Sequence, residues 1–128
     1  MLDAYEATPE PSVLLACSAC EPVHALAFIL EGFGYTAFEC KGIEEVNNVL
    51  SENFPCIALV CAEQKDIKEI CDLINQREDL FLLVLIEKEN EDPDSKAKEL
   101  GAFDWIYIDT QPEKILIKLR KILELQSP

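Results

Sequence analysis

The sequence predicts an α/β domain in which a doubly wound parallel sheet is covered by helices on both faces. The first observation is the apolar run Pro55 to Cys61, which lacks polar alternation and is typical of a strand buried on both faces. The second is that four more short apolar runs alternate with amphipathic segments through short connections. This order predicts five parallel strands and five helices with right-handed crossovers. An open parallel sheet places its site at the carboxyl ends of its strands, which here means near Cys61.

The first half of the chain supplies two strand and helix units before the central strand. Ser12 to Cys17 predicts the first strand, and a helix follows from about Cys20 to Gly32. Tyr35 to Cys40 predicts the second strand, and Ile43 to Asn53 predicts the second helix. The Pro55 to Cys61 run is then the third strand.

The second half continues the alternation. We expect the third helix over Lys65 to Gln76, the fourth strand over Leu80 to Ile86, the fourth helix over Asp92 to Leu100, the fifth strand over Asp104 to Ile108, and the last helix from Pro112 to about Leu125. The fourth helix has only two apolar residues to bury. We therefore expect it to be the least firmly held element.

Composition limits the classes of partner. The chain has 128 residues, 25 Asp and Glu against 11 Lys and Arg, and a formal net charge of -14. Such a field disfavours binding to nucleic acid or to an anionic membrane, because both are polyanions. The sequence has no apolar run of about 18 residues and no signal-like N-terminus, which favours a cytoplasmic protein with reduced thiols. Residues 1–11 read as a loose leader before a single domain at residues 12–126.

Several local strings resemble the receiver domain of two-component response regulators. Gly34-Tyr35 matches the family's Gly-Tyr before the second strand, and Asn53 to Cys61 is similar to the stretch that ends in its phosphoaccepting aspartate. GAFDWIYID, at residues 101–109, resembles the family's Gly-Ala-x-Asp-Tyr-Ile-x-Lys-Pro string. The resemblance covers about Ser12 to Leu125 and implies a receiver-like domain with a flavodoxin-like sheet of strand order 2-1-3-4-5.

The resemblance also indicates which residues stand at the family's functional positions. They are Cys61 at the phosphoacceptor, Cys17 and Ser18 at the acidic pocket, Ile86 at the Ser or Thr, Ile108 at the lysine, and Trp105 at the switch aromatic. Aspartyl phosphorylation needs a carboxylate nucleophile, further carboxylates for magnesium and a lysine for the phosphoryl oxygens. We therefore expect a degenerate receiver with no catalytic residue, no metal and no cofactor.

The leading functional hypothesis is a signalling module that binds a protein partner without being phosphorylated, and is not an enzyme. The first and last helices carry more apolar residues than one core contact requires, and they are neighbours in this topology. Surplus apolar surface on adjacent helices predicts a docking face, with a homodimer through these helices as one form of it.

The alternative hypothesis is a thiol-based redox or metal sensor. Cys17, Cys40 and Cys61 end three strands, and Cys20 begins the first helix, so four thiols are expected at one edge. A helix N-terminus favours a thiolate, and Cys17-x-x-Cys20 has the spacing to form a disulfide or, with Cys61, to hold a soft metal. The simpler interpretation is that these cysteines are small core residues, and that His24 is solvated.

Two further interpretations concern smaller features. VLLACSAC resembles the strand and loop of sugar-phosphotransferase IIB components, where a cysteine carries phosphate. That loop needs glycine and hydroxyl groups, which Ala19-Cys20-Glu21-Pro22 does not offer, and Glu21 would repel the phosphoryl group. In the fifth strand, Trp105 and Tyr107 are expected on opposite faces. At most one of them would then line the former switch pocket.

Overall fold

A computed structural model describes residues 11–17, 21–89 and 91–126 of the chain, so the predicted leader, except Pro11, lies outside the described residues. The strands are β1 Ser12–Ala16, β2 Thr36–Cys40, β3 Ile57–Cys61, β4 Phe81–Ile86 and β5 Asp104–Tyr107. The helices are α1 Glu21–Gly32, α2 Ile43–Glu52, α3 Ile67–Asn75, α4 Pro93–Glu99 and α5 Pro112–Gln126. These elements confirm the predicted alternation, with boundaries that differ by one or two residues.

All strand pairs are parallel, and the sheet order is β2-β1-β3-β4-β5. β3 lies in the middle, with Ile57 opposite Val13 of β1 and opposite Phe81 of β4. Every residue of β3 is buried, as expected for an apolar run covered on both faces. The predicted fold class, a flavodoxin-like doubly wound sheet with five helices, is confirmed.

Two hydrophobic cores lie on opposite faces of the sheet. Leu15 and Leu59 point into the core that α1 and α5 cover, whereas Leu14 and Val60 point into the core beneath α2, α3 and α4. The alternation follows from the two-residue period of a strand. Consequently, residues that end neighbouring strands can lie on different sides of the sheet.

The first and last helices use most of their apolar residues to contact each other and the sheet. Leu26 and Leu30 of α1, with Ile115 and Leu119 of α5, are almost wholly buried in this core. In the described parts of both helices, the large apolar side chains left exposed are Phe28, at 74%, and Ile117, at 54%. The first and last helices therefore expose far fewer apolar side chains than their sequences led us to expect.

Side-chain hydrogen bonds hold the ends of several helices. Asp92 caps α4 by accepting a hydrogen bond from the Ser95 N–H at 3.1 Å. Arg77 donates to the carbonyl oxygens of Leu50, at 2.6 Å, and Asn53, at 3.0 Å, at the carboxyl end of α2. A cation near the carboxyl end of a helix also interacts favourably with the helix dipole. Among the described residues, no helix is long and apolar enough to cross a membrane.

Candidate functional site at the carboxyl edge of the sheet

Cys61 ends β3 at the centre of this edge, at the position that the resemblance to receiver domains assigns to the phosphoacceptor. Its side chain is 3% exposed and belongs to the core beneath α1 and α5. Its β4 neighbour in the sheet register is Leu85. Burial raises the pKa of the Cys61 thiol from 9.0 to about 12, because the thiolate would lose its hydration. At neutral pH, Cys61 is therefore a protonated core residue.

Cys17 directly follows β1 on the same face of the sheet as Cys61. Its N–H donates to the carbonyl oxygen of Cys40 at 3.0 Å, so the ends of β1 and β2 are in contact. Cys17 is disulfide-bonded, so the expectation that all the thiols are reduced is wrong for this residue. Ser18 and Cys20, which the sequence places in the acidic pocket and in the candidate thiol site, lie outside the described residues.

The predicted group of four thiols at one edge is not assembled in the described chain. Cys40 ends β2 but is buried in the other core, on the opposite face from Cys61. Its pKa is raised to about 11, mainly by burial and then by Glu45. No group of three His, Cys, Asp or Glu residues with metal-binding geometry occurs within residues 11–17, 21–89 and 91–126. These observations do not favour a sensor that uses Cys61 as its reactive thiol.

The two other cysteines lie away from this edge, as expected. Cys56 precedes β3, at the amino end of the strands. Cys71 lies on the buried face of α3, and its pKa is raised to about 12, first by burial and then by Asp72, while Lys96 acts in the opposite direction. Neither residue can join Cys61 in a common site.

Aliphatic residues stand at the carboxyl ends of β4 and β5. Ile86, at the end of β4, is fully buried in the core beneath α2, α3 and α4. Ile108 follows β5 and donates its N–H to the carbonyl oxygen of Ile86 at 2.9 Å. A shallow cavity of about 370 Å³ lies beyond them, lined by Ile108 and by the charged loop residues Glu87, Lys88, Glu89 and Asp109.

Gln64 joins the two strand ends at the middle of this edge, and sequence reasoning missed it. Its side-chain Nε2 donates to the carbonyl oxygens of Ala16 and Cys61, each at 2.9 Å. One amide group therefore bridges β1 and β3 immediately beside Cys61. A glutamine in a short polar loop gives no periodic signal, and its position three residues after a predicted strand end is the one feature that could have pointed to it.

Trp105 is held by packing and by a hydrogen bond. The expectation that Trp105 and Tyr107 lie on opposite faces of the fifth strand is wrong. Its ring packs against the core beneath α2, α3 and α4, and Nε1–H donates to Asp94 Oδ1 of α4 at 2.6 Å. Trp105 and Tyr107 lie on the same face, with an edge-to-face contact and ring centroids 4.8 Å apart. Residues two apart in a strand share a face, so opposite faces would have required an odd separation.

The chain's single histidine also has a structural partner. His24 Nδ1 of α1 lies 3.0 Å from Glu39 Oε1 of β2, at an exposed position where the His24 side chain is 80% accessible. The pair lies at the edge strand, whereas Cys61 lies in the central strand. His24 is therefore not part of the candidate site around Cys61.

Known structures with the same architecture are receiver domains. No protein-family model and no curated protein matches the sequence. A response regulator receiver domain protein from Methanospirillum hungatei JF-1 is 17% identical, with a TM-score of 0.76 over 92% of this chain and 97% of that chain. The signal receiver domain of an HD domain-containing protein from Pseudomonas fluorescens Pf-5 is 18% identical, with a TM-score of 0.78 over 92% of this chain and 98% of that one.

A response regulator receiver protein from Burkholderia phymatum gives a TM-score of 0.79 at 13% identity, over 90% of this chain and 96% of that chain. Identities this low establish a shared architecture rather than a shared activity. The strand order, the five helices and these likenesses together show that the chain has the fold of a response regulator receiver domain.

Proposed function

We propose that this chain is a signalling module that binds a protein partner through a receiver scaffold and works without phosphorylation. The proposal rests on the side chains that stand at the carboxyl ends of the central strands and β5. A buried thiol ends β3, and Ile86 and Ile108 stand at the ends of β4 and β5. None of these three side chains offers an oxygen nucleophile, a magnesium ligand or a cation.

Gln64 supports the same interpretation. Its amide is committed to the carbonyl oxygens of Ala16 and Cys61, so it ties strand ends together where a phosphoryl group would have to enter. The edge is thus stabilised by an internal contact. The proposed role requires no catalysis, metal or cofactor.

The proposal includes a protein partner, with a homodimer through α1 and α5 as one form. The net charge of -14 supports a protein rather than a nucleic acid or an anionic membrane. In the described parts of these helices, Phe28 and Ile117 are the large apolar side chains that remain exposed. A partner that covers either residue would remove a large apolar side chain from water.

The test of the proposal is phosphorylation of the full chain by acetyl phosphate with Mg²⁺, followed by intact-mass measurement. We expect no mass increase of one phosphoryl group, while a receiver domain that retains its aspartate is phosphorylated in the same reaction. Introducing a carboxylate with Cys61→Asp is expected to leave the chain unphosphorylated, because the supporting residues are still absent. Stoichiometric phosphorylation of the unmodified chain would overturn the proposal.

A further inference from the structure

The opposite, amino-terminal edge of the sheet carries an unusual concentration of exposed aromatic side chains. Among the described residues, five large apolar side chains are exposed, and Phe33, Phe54 and Phe103 are three of them. Each of the three lies in a loop that leaves a helix and enters a strand. Such loops all lie at the amino ends of parallel strands. Exposed apolar residues gathered on one edge indicate an interaction surface more strongly than isolated ones.

A cavity of about 460 Å³ opens at this edge, between the loops that precede β3 and β4. Its walls combine aromatic and acidic side chains. The lining residues are Phe54, Pro55, Cys56, Glu78, Asp79 and Phe81. The cavity therefore lies at the end of the strands remote from Cys61 and is separate from the candidate site described above.

Phe54 is held in place although its side chain is 76% exposed. The guanidinium carbon of Arg77 lies 5.0 Å from the centre of the Phe54 ring. Arg77 is itself fixed by its hydrogen bonds to the carbonyl oxygens of Leu50 and Asn53. The exposed ring therefore rests on an anchored side chain, which lowers the conformational entropy that a ligand would have to remove.

The other side of the cavity is also aromatic. Phe81, at the start of β4, makes an edge-to-face contact with Phe103, with ring centroids 4.7 Å apart. Phe103 is 51% exposed, so this pair extends the apolar surface beyond the cavity. The aromatic surface consequently spans the amino ends of three adjacent strands, β3, β4 and β5.

The charge at the cavity is negative. Glu78 and Asp79 are exposed, and in the part of the chain that the structure describes neither makes an ion pair. The adjacent cation, Arg77, is committed to Leu50 and Asn53. Two carboxylates beside aromatic rings complement a ligand that has both an apolar stem and a positive charge.

We propose that this cavity binds an arginine side chain presented by an extended segment of a partner protein. The methylene stem of the arginine would pack on Phe54 and Phe81, while the guanidinium would pair with Glu78 and Asp79. Arginine fits better than lysine because its planar group bonds carboxylates in a bidentate manner and stacks on aromatic rings. A wholly apolar segment would cover the two carboxylates without giving them partners, which is costly.

This inference rests on the proposed function in one respect, namely that the chain acts by binding a protein. The two can fail separately. Phosphorylation by acetyl phosphate would overturn the proposed function without touching the cavity, and failure of the cavity to bind arginine would leave the phosphorylation-independent role intact.

The experiment is an NMR titration of the ¹⁵N-labelled full chain with the peptide acetyl-Gly-Leu-Arg-Leu-Gly-amide. The control peptide carries norleucine in place of arginine, which keeps the apolar stem and removes the charge. We expect the arginine peptide to shift the amide signals of residues 53–56 and 77–81, and the norleucine peptide to leave them in place. Because exposed charge pairs are screened, raising the salt concentration should weaken binding.

Variants identify the groups responsible. Glu78→Gln combined with Asp79→Asn is expected to weaken binding about fivefold, in line with the strength of exposed charge pairs. Glu87→Gln combined with Glu89→Gln makes the same change in net charge at the carboxyl-edge cavity and should leave the affinity unchanged. Phe54→Ala should weaken binding, whereas Phe28→Ala, which removes an equally exposed ring from α1, should not.

Several outcomes would overturn the proposal. The first is the absence of shifts at residues 53–56 and 77–81, and the second is equal binding of the norleucine peptide. The third is equal weakening by the two pairs of charge variants, because that result would show only a general attraction of the peptide to an acidic protein. Self-association that is lost with Arg120→Met and with the Glu78 and Asp79 variants would instead assign the cavity to a second copy of the chain. The same spectra verify that each variant is folded.

Discussion

The side chain of Gln64 donates a hydrogen bond to the carbonyl oxygen of Ala16 at 2.9 Å, across 48 positions of the sequence. The same Nε2 also donates to the carbonyl oxygen of Cys61. The contact joins the loop after the central strand to the end of the neighbouring strand. Both hydrogen bonds are internal to the chain, and their contribution to stability can be tested by substituting Gln64.

Gln64→Met is expected to lower the free energy of unfolding by about 1–2 kcal/mol, because both carbonyl groups lose a partner while the volume of the side chain is nearly kept. Urea unfolding followed by circular dichroism measures the change. Gln76→Met serves as the control, since Gln76 is an exposed glutamine at the end of α3, and its effect should stay within about 0.5 kcal/mol. Equal effects of the two variants would contradict a bridging role for Gln64.

The pKa of Cys61 predicts a loss of stability at alkaline pH. Its value is 9.0 when the thiol is solvated and about 12 in the fold. Between these values the unfolded chain releases the proton while the folded chain retains it, so the contribution is complete below pH 9 and is lost as the pH rises towards about 12. Cys61→Val cannot release this proton. The stability of the unmodified chain relative to Cys61→Val should therefore decrease from pH 8 to pH 11 in urea unfolding.

A constant difference in stability between the two proteins over this pH range would show that Cys61 does not titrate as its burial requires. Alkylation provides a second measurement. In the folded chain at pH 8, iodoacetamide should spare Cys40, Cys61 and Cys71, which are 1–3% exposed, and should modify them after unfolding. Mass spectrometry of the digested protein identifies the modified positions.

The strands could be predicted from the sequence because burial on both faces leaves a continuous apolar run. The stretch from Ile57 to Cys61 is buried throughout, as its composition requires. The position of Cys61 at the carboxyl edge follows from the same run and from the parallel order of the sheet. These features depend on patterns within a few residues, which a single sequence contains.

The side chains that meet at the carboxyl edge of the sheet were harder to predict, because their faces depend on how neighbouring strands pair. Cys40 and Cys61 both end strands, but Cys40 lies opposite Ala16, and this pairing places it on the other face of the sheet from Cys61. The Gln64 bridge likewise requires that β1 and β3 be neighbours with their ends level. By contrast, the shared face of Trp105 and Tyr107 follows from strand alternation alone and was predictable.

Gly101→Ala should destabilise the fold. Gly101 has φ +73, a left-handed conformation that costs an L-residue about 1–2 kcal/mol. A Cβ there would also meet Asn75 Nδ2 at 2.5 Å, while that nitrogen donates to the carbonyl oxygen of Leu100. Gly42 is the matched control, because its φ of -170 is ordinary extended backbone and a Cβ there would meet nothing within 4 Å.

Thermal unfolding of both alanine variants measures the difference. The midpoint for Gly101→Ala should fall by several degrees, and that for Gly42→Ala should stay near the original value or rise slightly. Adding Asn75→Ala should make the Gly101→Ala change less costly, because the steric part disappears while the backbone strain remains. Equal midpoints for the two single variants would contradict the conformational argument.

Homodimerisation through α1 and α5 would require the few exposed apolar residues of these helices to be covered. We expect Phe28→Ser and Ile117→Ser each to weaken the dimer, because each removes an exposed large apolar side chain from the contact. Phe33→Ser is the control, since Phe33 is 62% exposed but lies in the loop before β2. Sedimentation velocity over a range of protein concentrations measures the dissociation constants.

Charge indicates how two copies would be arranged. The exposed residues Arg120 and Lys121 lie on α5, and the exposed Glu31 lies on α1. A two-fold contact that places α1 against α5 of the other copy would bring these opposite charges together. A monomer at the highest concentrations, or a dimer that Phe28→Ser and Ile117→Ser leave unchanged, would contradict this interface.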